Sequence, residues 1–319
     1  MIDGPILLTG AAGFVAPYLV PRLEAAFPDR DLVGVVRLPP APDGGFAVEL
    51  TNPEPTAALV RTVRPALIVH LAAHSSVAKA NRAPSNVWRD NRDGSYWLAK
   101  AVANFAPEST VFLASTAEVY GSNLKHGPAD ETTEPLPHGP YACSKLASEY
   151  VFQAILPAAS QLIAARPFNH TGRGQMETFV VASFAAQLAR IEAGLVPPVI
   201  RVGNLDAERD FLDVRDVADS YVGIIKAAPR LPKRAVVNVA RGEAVSIREI
   251  LEMLRSLVKV DVKIEIDPSR LRPNEIPVAT ASTKLLASLM DWPPKRQLID
   301  TLKDVLDDQR AKLKVAVPG

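Results

Sequence analysis

Short apolar runs alternate with longer stretches of mixed apolar and polar residues through the first half of the chain. Apolar runs bounded by turn residues are typical of buried strands, whereas an apolar period of about 3.6 residues is typical of helices. The predicted strands span residues 6–8, 32–36, 46–50, 67–71, 110–114 and 162–165. The predicted helices span residues 14–26, 55–63 and 85–105. This alternation predicts an α/β fold with a doubly wound parallel sheet, covered by helices on both faces.

The regular alternation weakens after about residue 165. The remainder mixes Pro-rich connections with a predicted strand at 236–239 and predicted helices at 247–257 and 297–312. We therefore expect a Rossmann-type cofactor-binding domain over residues 1–165, which also receives segments from about 205–240. Residues 166–319 are expected to form mainly a smaller C-terminal α/β domain that binds the substrate.

Composition and charge limit the classes of function. The chain has 319 residues, of which 48% are hydrophobic, so a sizeable core can be buried. With 36 Lys and Arg against 35 Asp and Glu, the net charge of +1 argues against a nucleic-acid-binding surface. The single cysteine, Cys143, excludes an internal disulfide and a cysteine-built metal cluster, and we predict no metal site. No apolar stretch reaches the roughly 18 to 20 residues of a membrane span, and no signal-peptide pattern is present, so we expect a cytoplasmic protein.

A glycine-rich turn joins the first predicted strand to the first predicted helix. Its sequence is Gly10-Ala11-Ala12-Gly13-Phe14-Val15-Ala16. Glycines here allow a tight turn and let backbone N–H groups approach a pyrophosphate, while the helix N-terminus contributes partial positive charge. Ala16 stands where a third glycine is common, and it is small enough for helix–strand packing. The residues expected to contact a dinucleotide cofactor are Gly10, Ala12, Gly13, Phe14 and Val15.

The residue at the end of the second predicted strand indicates which dinucleotide binds. An acidic residue at this place bonds the ribose 2′-hydroxyl of NAD, whereas a basic residue favours the 2′-phosphate of NADP. The strand at 32–36 is followed by Arg37. We therefore expect NADP(H) to be the preferred cofactor, with NAD(H) as the other possibility.

A tyrosine and a lysine four residues apart form a second candidate site. In Tyr141-Ala142-Cys143-Ser144-Lys145, a helix places both side chains on one face. The pKa of a free tyrosine is about 10, and a neighbouring ammonium lowers it, which suits a general acid that protonates a carbonyl oxygen. Ser115 and Thr116 follow the strand predicted at 110–114, so a hydroxyl there can bond the same oxygen at the sheet edge where ligands bind.

Taken together, these motifs resemble the extended short-chain dehydrogenases/reductases, and the resemblance covers nearly the whole chain. The matching segments are Thr9-Gly10-x-x-Gly13-Phe14, His70-Leu71-Ala72-Ala73, Asn91-x-x-Gly94, Thr116-x-x-Val119-Tyr120-Gly121 and Tyr141-x-x-x-Lys145. The resemblance implies that Thr116 bonds the substrate oxygen and that Tyr141 is the general acid. It also implies that Lys145 tunes the tyrosine and holds the nicotinamide ribose. The residues that it places beside the cofactor are Leu71, Ala72, Ala73 and Pro167.

Two later segments narrow the resemblance. Residues 166–175 and 202–211 resemble the GDP-6-deoxy-D-mannose reductases of this family, except that Arg173 stands where those enzymes usually carry proline. The resemblance implies reduction of the 4-keto group of GDP-4-keto-6-deoxy-D-mannose to GDP-D-rhamnose, by a homodimer that pairs through helices flanking the sheet. Arginine side chains suit a desolvated diphosphate. The residues assigned to the GDP-sugar, besides Thr116, are His74, Ser75, Glu118, Asn169, Arg209, Arg272 and Glu275.

The residues leave two other functions open. Thr116-Ala117-Glu118 resembles the Thr-x-Glu arrangement in which dehydratases use the glutamate as a base. A GDP-mannose 4,6-dehydratase, or another nucleotide-sugar epimerase/dehydratase, is therefore an alternative, although Ala117 supplies no acid beside Glu118. The second alternative is a non-catalytic dinucleotide-binding scaffold. The presence of Thr116, Tyr141 and Lys145 argues against a non-catalytic scaffold.

Replacement of the arginine after the second strand tests the cofactor prediction. Arg37→Ala should weaken NADPH binding about 10-fold or more, because a hydrogen-bonded charge is lost, and should change NADH binding little. Titration of the nucleotide fluorescence gives both dissociation constants. Equal losses for the two dinucleotides would show that Arg37 does not recognise the 2′-phosphate.

Overall fold

The computed structural model describes residues 4–75, 80, 82–271 and 275–316. Its strands are β1 (Ile6–Thr9), β2 (Leu32–Val36), β3 (Phe46–Ala47), β4 (Leu67–His70), β5 (Thr110–Ala114), β6 (Gln161–Pro167), β7 (Asn169–Thr171), β8 (Val199–Val202), β9 (Glu208–Asp213), β10 (Arg234–Val239), β11 (Ala244–Ser246), β12 (Lys263–Ile266) and β13 (Val278–Ala279). Its helices are α1 (Ala16–Ala26), α2 (Pro53–Val63), α3 (Pro84–Trp88), α4 (Gly94–Phe105), α5 (Gly139–Ile155), α6 (Val180–Glu192), α7 (Val214–Lys226), α8 (Ile247–Ser256), α9 (Lys284–Leu289) and α10 (Leu298–Ala316).

The main sheet contains seven strands, β1 to β6 and β10. They lie in the order β10-β6-β5-β4-β1-β2-β3, and every neighbouring pair is parallel. β1 and β4 are buried along their whole length, as their apolar runs predict. The strand order reverses between β1 and β4, and ligands bind beyond the carboxyl ends of strands at such a reversal. The predicted Rossmann-type sheet is confirmed.

Helices bury both faces of this sheet. On one face, α1 and α7 pack over the strands through Leu19 and Tyr221, and the Tyr221 ring lies 4.8 Å from the Phe112 ring of β5. On the other face, Leu98 of α4 and Phe152 of α5 belong to a second buried cluster, which α2 also joins. The two-sided burial explains why the strands are apolar at successive positions rather than at alternate ones.

Residues beyond β6 build smaller sheets beside the main one. β7, β11 and β13 pair with β9, and β12 pairs with β8. A separate apolar core supports them, to which α6 contributes Leu188, α8 contributes Leu251 and α10 contributes Leu306. β10 follows β9 in the chain and returns to the main sheet, where it pairs with β6. The C-terminal half therefore contributes to both parts of the molecule.

Two elements differ from the sequence prediction. The strand expected at 46–50 is only Phe46–Ala47, at the edge of the sheet. The helix expected at 85–105 is interrupted by a π-helical turn, Arg89–Asp93, between α3 and α4. Such turns insert one residue per turn and are frequent at functional sites. This one redirects the side chains of Asp90 and Asn91.

Among the helices of the described residues, none combines the length and the apolar character that a membrane span requires.

Candidate active site

The glycine turn lies directly against the residues that follow β4. Gly10 has a φ of +76°, and a Cβ there would lie 2.7 Å from the nitrogen of Ala72 and 2.9 Å from the carbonyl carbon of Leu71. Only glycine fits this approach. The backbone N–H groups of Gly10 and Ala11 both donate to the carbonyl of Val35 at 3.0 Å, which fixes the turn on β2. The turn and the start of α1 thus have the shape that a dinucleotide pyrophosphate requires.

The other residues of the predicted turn lie around the close contact between Gly10 and Ala72. A Cβ at Gly13 would lie 3.0 Å from the carbonyl oxygen of Gly10, so this position is also tightly packed. The ring of Phe14 stacks on that of His170, with centroids 6.1 Å apart and an interplanar angle of 7°. Val15 is the N-cap of α1 and offers no side-chain acceptor to the first turn. The stack joins the glycine turn to β7 in the second part of the molecule.

Arg37 lies just after β2 and is held by two carboxylates. Its Nε pairs with Glu49 at 2.5 Å, and its Nη1 donates to Asp90 at 2.7 Å. Burial lowers the pKa of Arg37, but the hydrogen bonds with Asp90 and Glu49 outweigh it and raise the pKa above its ordinary value. The side chain is 48% exposed, so a ligand can still approach it. Neither carboxylate partner was predicted from the sequence.

The three predicted catalytic residues lie on the two helical segments that follow β5 in the chain. Thr116 is the N-cap of the 3₁₀-helical segment Ala117–His126, and its hydroxyl accepts the backbone N–H of Glu118 at 3.3 Å. The Thr116 side chain also hydrogen-bonds Tyr141 in the first turn of α5. Lys145 lies one turn further along α5 and is only 3% exposed. The helix therefore presents Tyr141 and Lys145 on one face, as their spacing predicts.

The protonation states of this pair differ from the sequence expectation. Burial raises the pKa of Tyr141 to about 12; the hydrogen bond with Thr116 opposes the rise, and the charge of Glu118 adds to it. The lowering by the ammonium of Lys145 that the sequence predicts is wrong, because burial raises this pKa instead. Burial also lowers the pKa of Lys145 to about 8, against the opposing charge of Glu149. At neutral pH the phenol holds its proton firmly, and the ammonium is close to its titration range.

A buried ion pair ties the catalytic helix to the sheet. Glu149 of α5 accepts hydrogen bonds from Nε and Nη2 of Arg166, at 3.1 and 2.7 Å, and from the hydroxyl of Ser115. Both charged side chains are less than a tenth exposed. The Arg166 guanidinium lies 4.8 Å from the centre of the Tyr120 ring, and the Tyr120 hydroxyl donates to Asn238 of β10 at 2.7 Å. This network connects α5 with β5, β6 and β10. Sequence reasoning missed Glu149, although its spacing of four from Lys145 places it on the same helix face.

His70, at the end of β4, is a buried neutral histidine. Its Nδ1 bonds the Thr9 hydroxyl at 2.7 Å, and its Nε2 lies 3.3 Å from the Ser95 hydroxyl. Burial, with a smaller contribution from the charge of Lys145, lowers the pKa of His70 to about 3. The Thr9 hydroxyl also accepts the N–H of Ala72 at 3.3 Å. The histidine therefore fixes the end of β4 without adding a charge to the interior.

The segment after β4 contacts the π-helical turn. His74 donates its backbone N–H to the side-chain oxygen of Asn91 at 2.7 Å, and its Nε2 bonds Asp90 at 2.7 Å. The amide of Asn91 then donates to Ser144 of α5 at 2.9 Å. Ala73 and Ser75, predicted for cofactor and substrate respectively, are exposed at this edge. Asn91 thus links the segment after β4 to the helix that carries Tyr141.

Some of the residues predicted to bind the substrate nucleotide contact one another in the structure. Arg209 of β9 pairs with Glu275 at 3.3 Å and donates to the carbonyl of Ile276 at 2.8 Å. Glu275 also accepts the side-chain amide of Asn204 at 2.8 Å. Asn169 begins β7, opposite Phe211 of β9. The cofactor-side Pro167 ends β6, opposite Val239 of β10. Arg272 lies outside the described residues.

The buried pair of α5 allows a stability test. Glu149→Ala leaves the Arg166 guanidinium buried without its carboxylate, so the free energy of unfolding should fall by about 3–5 kcal/mol. Glu192→Ala is the matched control, because Glu192 forms the same two-bond pair with Arg310 at 2.7 Å while both side chains are about 30% exposed. The control should lose only about 1 kcal/mol or less. Urea denaturation measures both values; similar losses would mean that burial of the pair does not govern stability.

The sequence is similar to those of known proteins over most of its length. The model of the NAD dependent epimerase/dehydratase family matches residues 6–240. GDP-6-deoxy-D-mannose reductase of Pseudomonas aeruginosa is 32% identical over 311 residues, which are 97% of this chain and 98% of that protein. GDP-6-deoxy-D-talose 4-dehydrogenase of Aggregatibacter actinomycetemcomitans is 26% identical, over 85% of this chain and 86% of that protein.

Solved structures of related enzymes have similar folds. The structure of RMD from Pseudomonas aeruginosa complexed with NADPH has a TM-score of 0.84 and 32% identity, covering 97% of this chain and 100% of that one. UDP-glucose 4-epimerase of Thermus thermophilus, in complex with NAD, has a TM-score of 0.81 and 27% identity, covering 96% and 99%. The chain belongs to the NAD dependent epimerase/dehydratase family, within the extended short-chain dehydrogenases/reductases.

Proposed function

We propose that the protein is an NADPH-dependent reductase that converts the 4-keto group of GDP-4-keto-6-deoxy-D-mannose into a hydroxyl, which gives GDP-D-rhamnose. The observation that carries the proposal is the hydrogen-bonded pair Thr116 and Tyr141, one helical turn from the buried Lys145. The near full-length similarity to a GDP-6-deoxy-D-mannose reductase supports the choice of sugar nucleotide.

Tyr141 is the proton donor in this proposal. The high pKa of its phenol keeps the proton in place until negative charge develops on the C4 oxygen of the sugar. Thr116 bonds the same oxygen and holds the phenol in line. The positive charge of Lys145 stabilises the phenolate that remains. When bound, NADPH supplies the hydride, so that the ketone gains one hydride and one proton.

The cofactor is proposed to lie across the glycine turn. The close packing of Gly10 on the backbone of Leu71 and Ala72, which a Cβ would prevent, supports this position. In the proposal, Arg37 contacts the 2′-phosphate, and Tyr141 and Lys145 contact the nicotinamide ribose. The backbone of the turn and of the segment after β4 completes the site, with Gly10, Ala12, Gly13, Phe14, Val15, Leu71, Ala72, Ala73 and Pro167.

The sugar nucleotide is proposed to bind between the catalytic helix and β9. Arg209 and Glu275 meet there, so a cation for the diphosphate stands beside an acceptor for ribose hydroxyls. Arg272 and Asn169 are assigned to the same nucleotide. The residues proposed for the sugar are His74, Ser75, Thr116 and Glu118.

A homodimer in the cytoplasm completes the proposal. α4 and α5 each keep an aromatic side chain at the surface, since Tyr96 is 37% exposed and Tyr150 is 55% exposed. Pairing of two copies through these helices would cover both rings. The single thiol, Cys143, suits a reducing compartment.

A dehydratase is the second candidate, because Glu118 is close enough to Tyr141 for its charge to raise the pKa of the phenol. Such an enzyme would use Glu118 as the base that removes the C5 proton. It would act on GDP-mannose, without net consumption of NADPH. Incubation with GDP-mannose and NADP alone therefore separates the two candidates.

The direct test is NADPH consumption with a panel of GDP- and dTDP-linked 4-keto sugars. We expect turnover with GDP-4-keto-6-deoxy-D-mannose, one GDP-D-rhamnose per NADPH oxidised. Tyr141→Phe should lower kcat about 10²- to 10⁴-fold, because the proton donor is lost, and should weaken NADPH binding far less, because the other cofactor contacts remain. Formation of a 4-keto product from GDP-mannose, without NADPH oxidation on the panel, would replace the reductase with the dehydratase.

The pH dependence of the reduction should follow Lys145. The pKa of this lysine is lowered to about 8, so its ammonium is present below that pH and is lost as the pH rises through it. The phenol of Tyr141, with a pKa of about 12, stays protonated throughout. Measured kcat/KM should therefore be level between pH 6 and 7 and fall about tenfold for each pH unit above about 8. A profile that stays level to pH 10 would mean that the charge of Lys145 is not needed.

A further inference from the structure

The carboxylate of Asp90 is shared by three donors that belong to different parts of the site. Its Oδ2 accepts Nη1 of Arg37 and Nε2 of His74, both at 2.7 Å, and its Oδ1 accepts Nε of Arg89 at 2.9 Å. The carboxylate is 10% exposed. Burial raises the pKa of Asp90, but the three hydrogen bonds outweigh it and hold the pKa below its ordinary value. Asp90 is therefore charged at neutral pH.

The charges around Arg37 are balanced by chain residues. Arg37 and Arg89 carry two positive charges, and Glu49 and Asp90 carry two negative ones. A phosphate that approaches the exposed part of Arg37 therefore meets two carboxylates already bonded to the same guanidinium. Its attraction to Arg37 is opposed by repulsion from both acids.

The π-helical turn prevents Asp90 from moving away. The next residue, Asn91, is 1% exposed, and its side chain bonds His74 and Ser144. Its carbonyl accepts the hydroxyls of Ser95 at 2.6 Å and of Ser148 at 2.9 Å. Because the neighbouring residue is fixed in this way, Asp90 keeps its place beside Arg37.

We propose that Asp90 is a specificity-determining residue, whose carboxylate competes with the 2′-phosphate of the cofactor for Arg37 and so reduces the preference for NADPH over NADH. The inference rests on the dinucleotide site of the proposed function. NADH carries a 2′-hydroxyl, which acidic side chains accept as a hydrogen-bond donor. The carboxylates that oppose NADPH therefore do not oppose NADH, and the protein accepts both dinucleotides.

Removal of the negative charge tests the competition. Asp90→Asn keeps the shape of the side chain and should tighten NADPH binding about 3- to 10-fold, because a unit charge beside the phosphate is lost. NADH binding should change less than about twofold. Fluorescence titration of the purified protein with each reduced dinucleotide measures both constants, with no sugar substrate present. The gain for NADPH should shrink at high salt, since the cluster is partly exposed.

The chain offers a matched control in the same turn. Asp93 pairs with the preceding arginine, Arg92, at 2.6 Å, just as Asp90 pairs with Arg89. Asp93→Asn removes an equal charge nearby, and it should leave the NADPH to NADH ratio unchanged. Glu49→Gln removes the other carboxylate on Arg37 and should shift the ratio in the same direction as Asp90→Asn. If the Asp90 variant does not fold, Glu49→Gln tests the proposal in its place.

Each other outcome overturns the inference. Equal changes for both dinucleotides, or weaker NADPH binding by Asp90→Asn, would mean that Asp90 holds Arg37 in place rather than competing for it. An equal gain in Asp93→Asn would mean a general charge effect. A wild-type protein that binds neither dinucleotide would overturn the proposed function as well, whereas wild-type binding with an unchanged ratio in the variants overturns only the role of Asp90.

Discussion

The positive charge of Lys145 inside the protein is the constraint on which the arrangement of the site depends. A buried ammonium is costly unless an opposite charge lies close to it. Glu149 provides that charge from the next turn of α5, but the same carboxylate also binds Arg166 and Ser115. Two cations thus share one carboxylate, and burial lowers the pKa of Lys145 although the charge of Glu149 opposes this.

The histidine near Lys145 adds no further positive charge to the interior. His70 lies close enough for the lysine to depress its pKa, and it is bonded on both ring nitrogens as a neutral ring. The Arg166 guanidinium faces the Tyr120 ring, whose electrons stabilise a cation without introducing a counter-charge. A neutral histidine on β4 and an ion pair between α5 and β6 therefore surround the buried ammonium.

The high pKa of Tyr141 has a consequence for the direction of the reaction. A reduction needs a protonated phenol as the proton donor, and burial keeps the phenol of Tyr141 protonated at neutral pH. An oxidation at C4, which a dehydratase requires as its first step, needs a phenolate as the base. The resting phenol is thus in the protonated form that reduction uses, whereas oxidation would first require it to lose its proton.

Local features of the sequence predicted the main sheet, the glycine turn and the spacing of Tyr141 and Lys145, because each depends on neighbouring residues. Features that depend on distant contacts were not predicted. The two partners of Arg37 are 12 and 53 positions away in the chain, and Glu149 meets Arg166 across 17. The sign of the shift at Tyr141 was wrong for the same reason, since burial is set by the whole fold. The five residues of the π-helical turn, Arg89–Asp93, are all polar, so the hydrophobic pattern gives no signal for it.

That turn connects the cofactor side of the site to the catalytic helix. A π-helical turn disturbs the regular backbone hydrogen bonds, and here the carbonyl of Asn91 accepts the hydroxyls of Ser95 and Ser148 in addition to the backbone N–H of Gly94. Ser148 lies on α5 one turn beyond Ser144, which Asn91 also contacts. The residue beside Asp90 is thus fixed by the helix that carries Tyr141 and Lys145. A displacement of α5 would move the carboxylate beside Arg37, so the position of the helix that carries Tyr141 and the charges around Arg37 are mechanically linked.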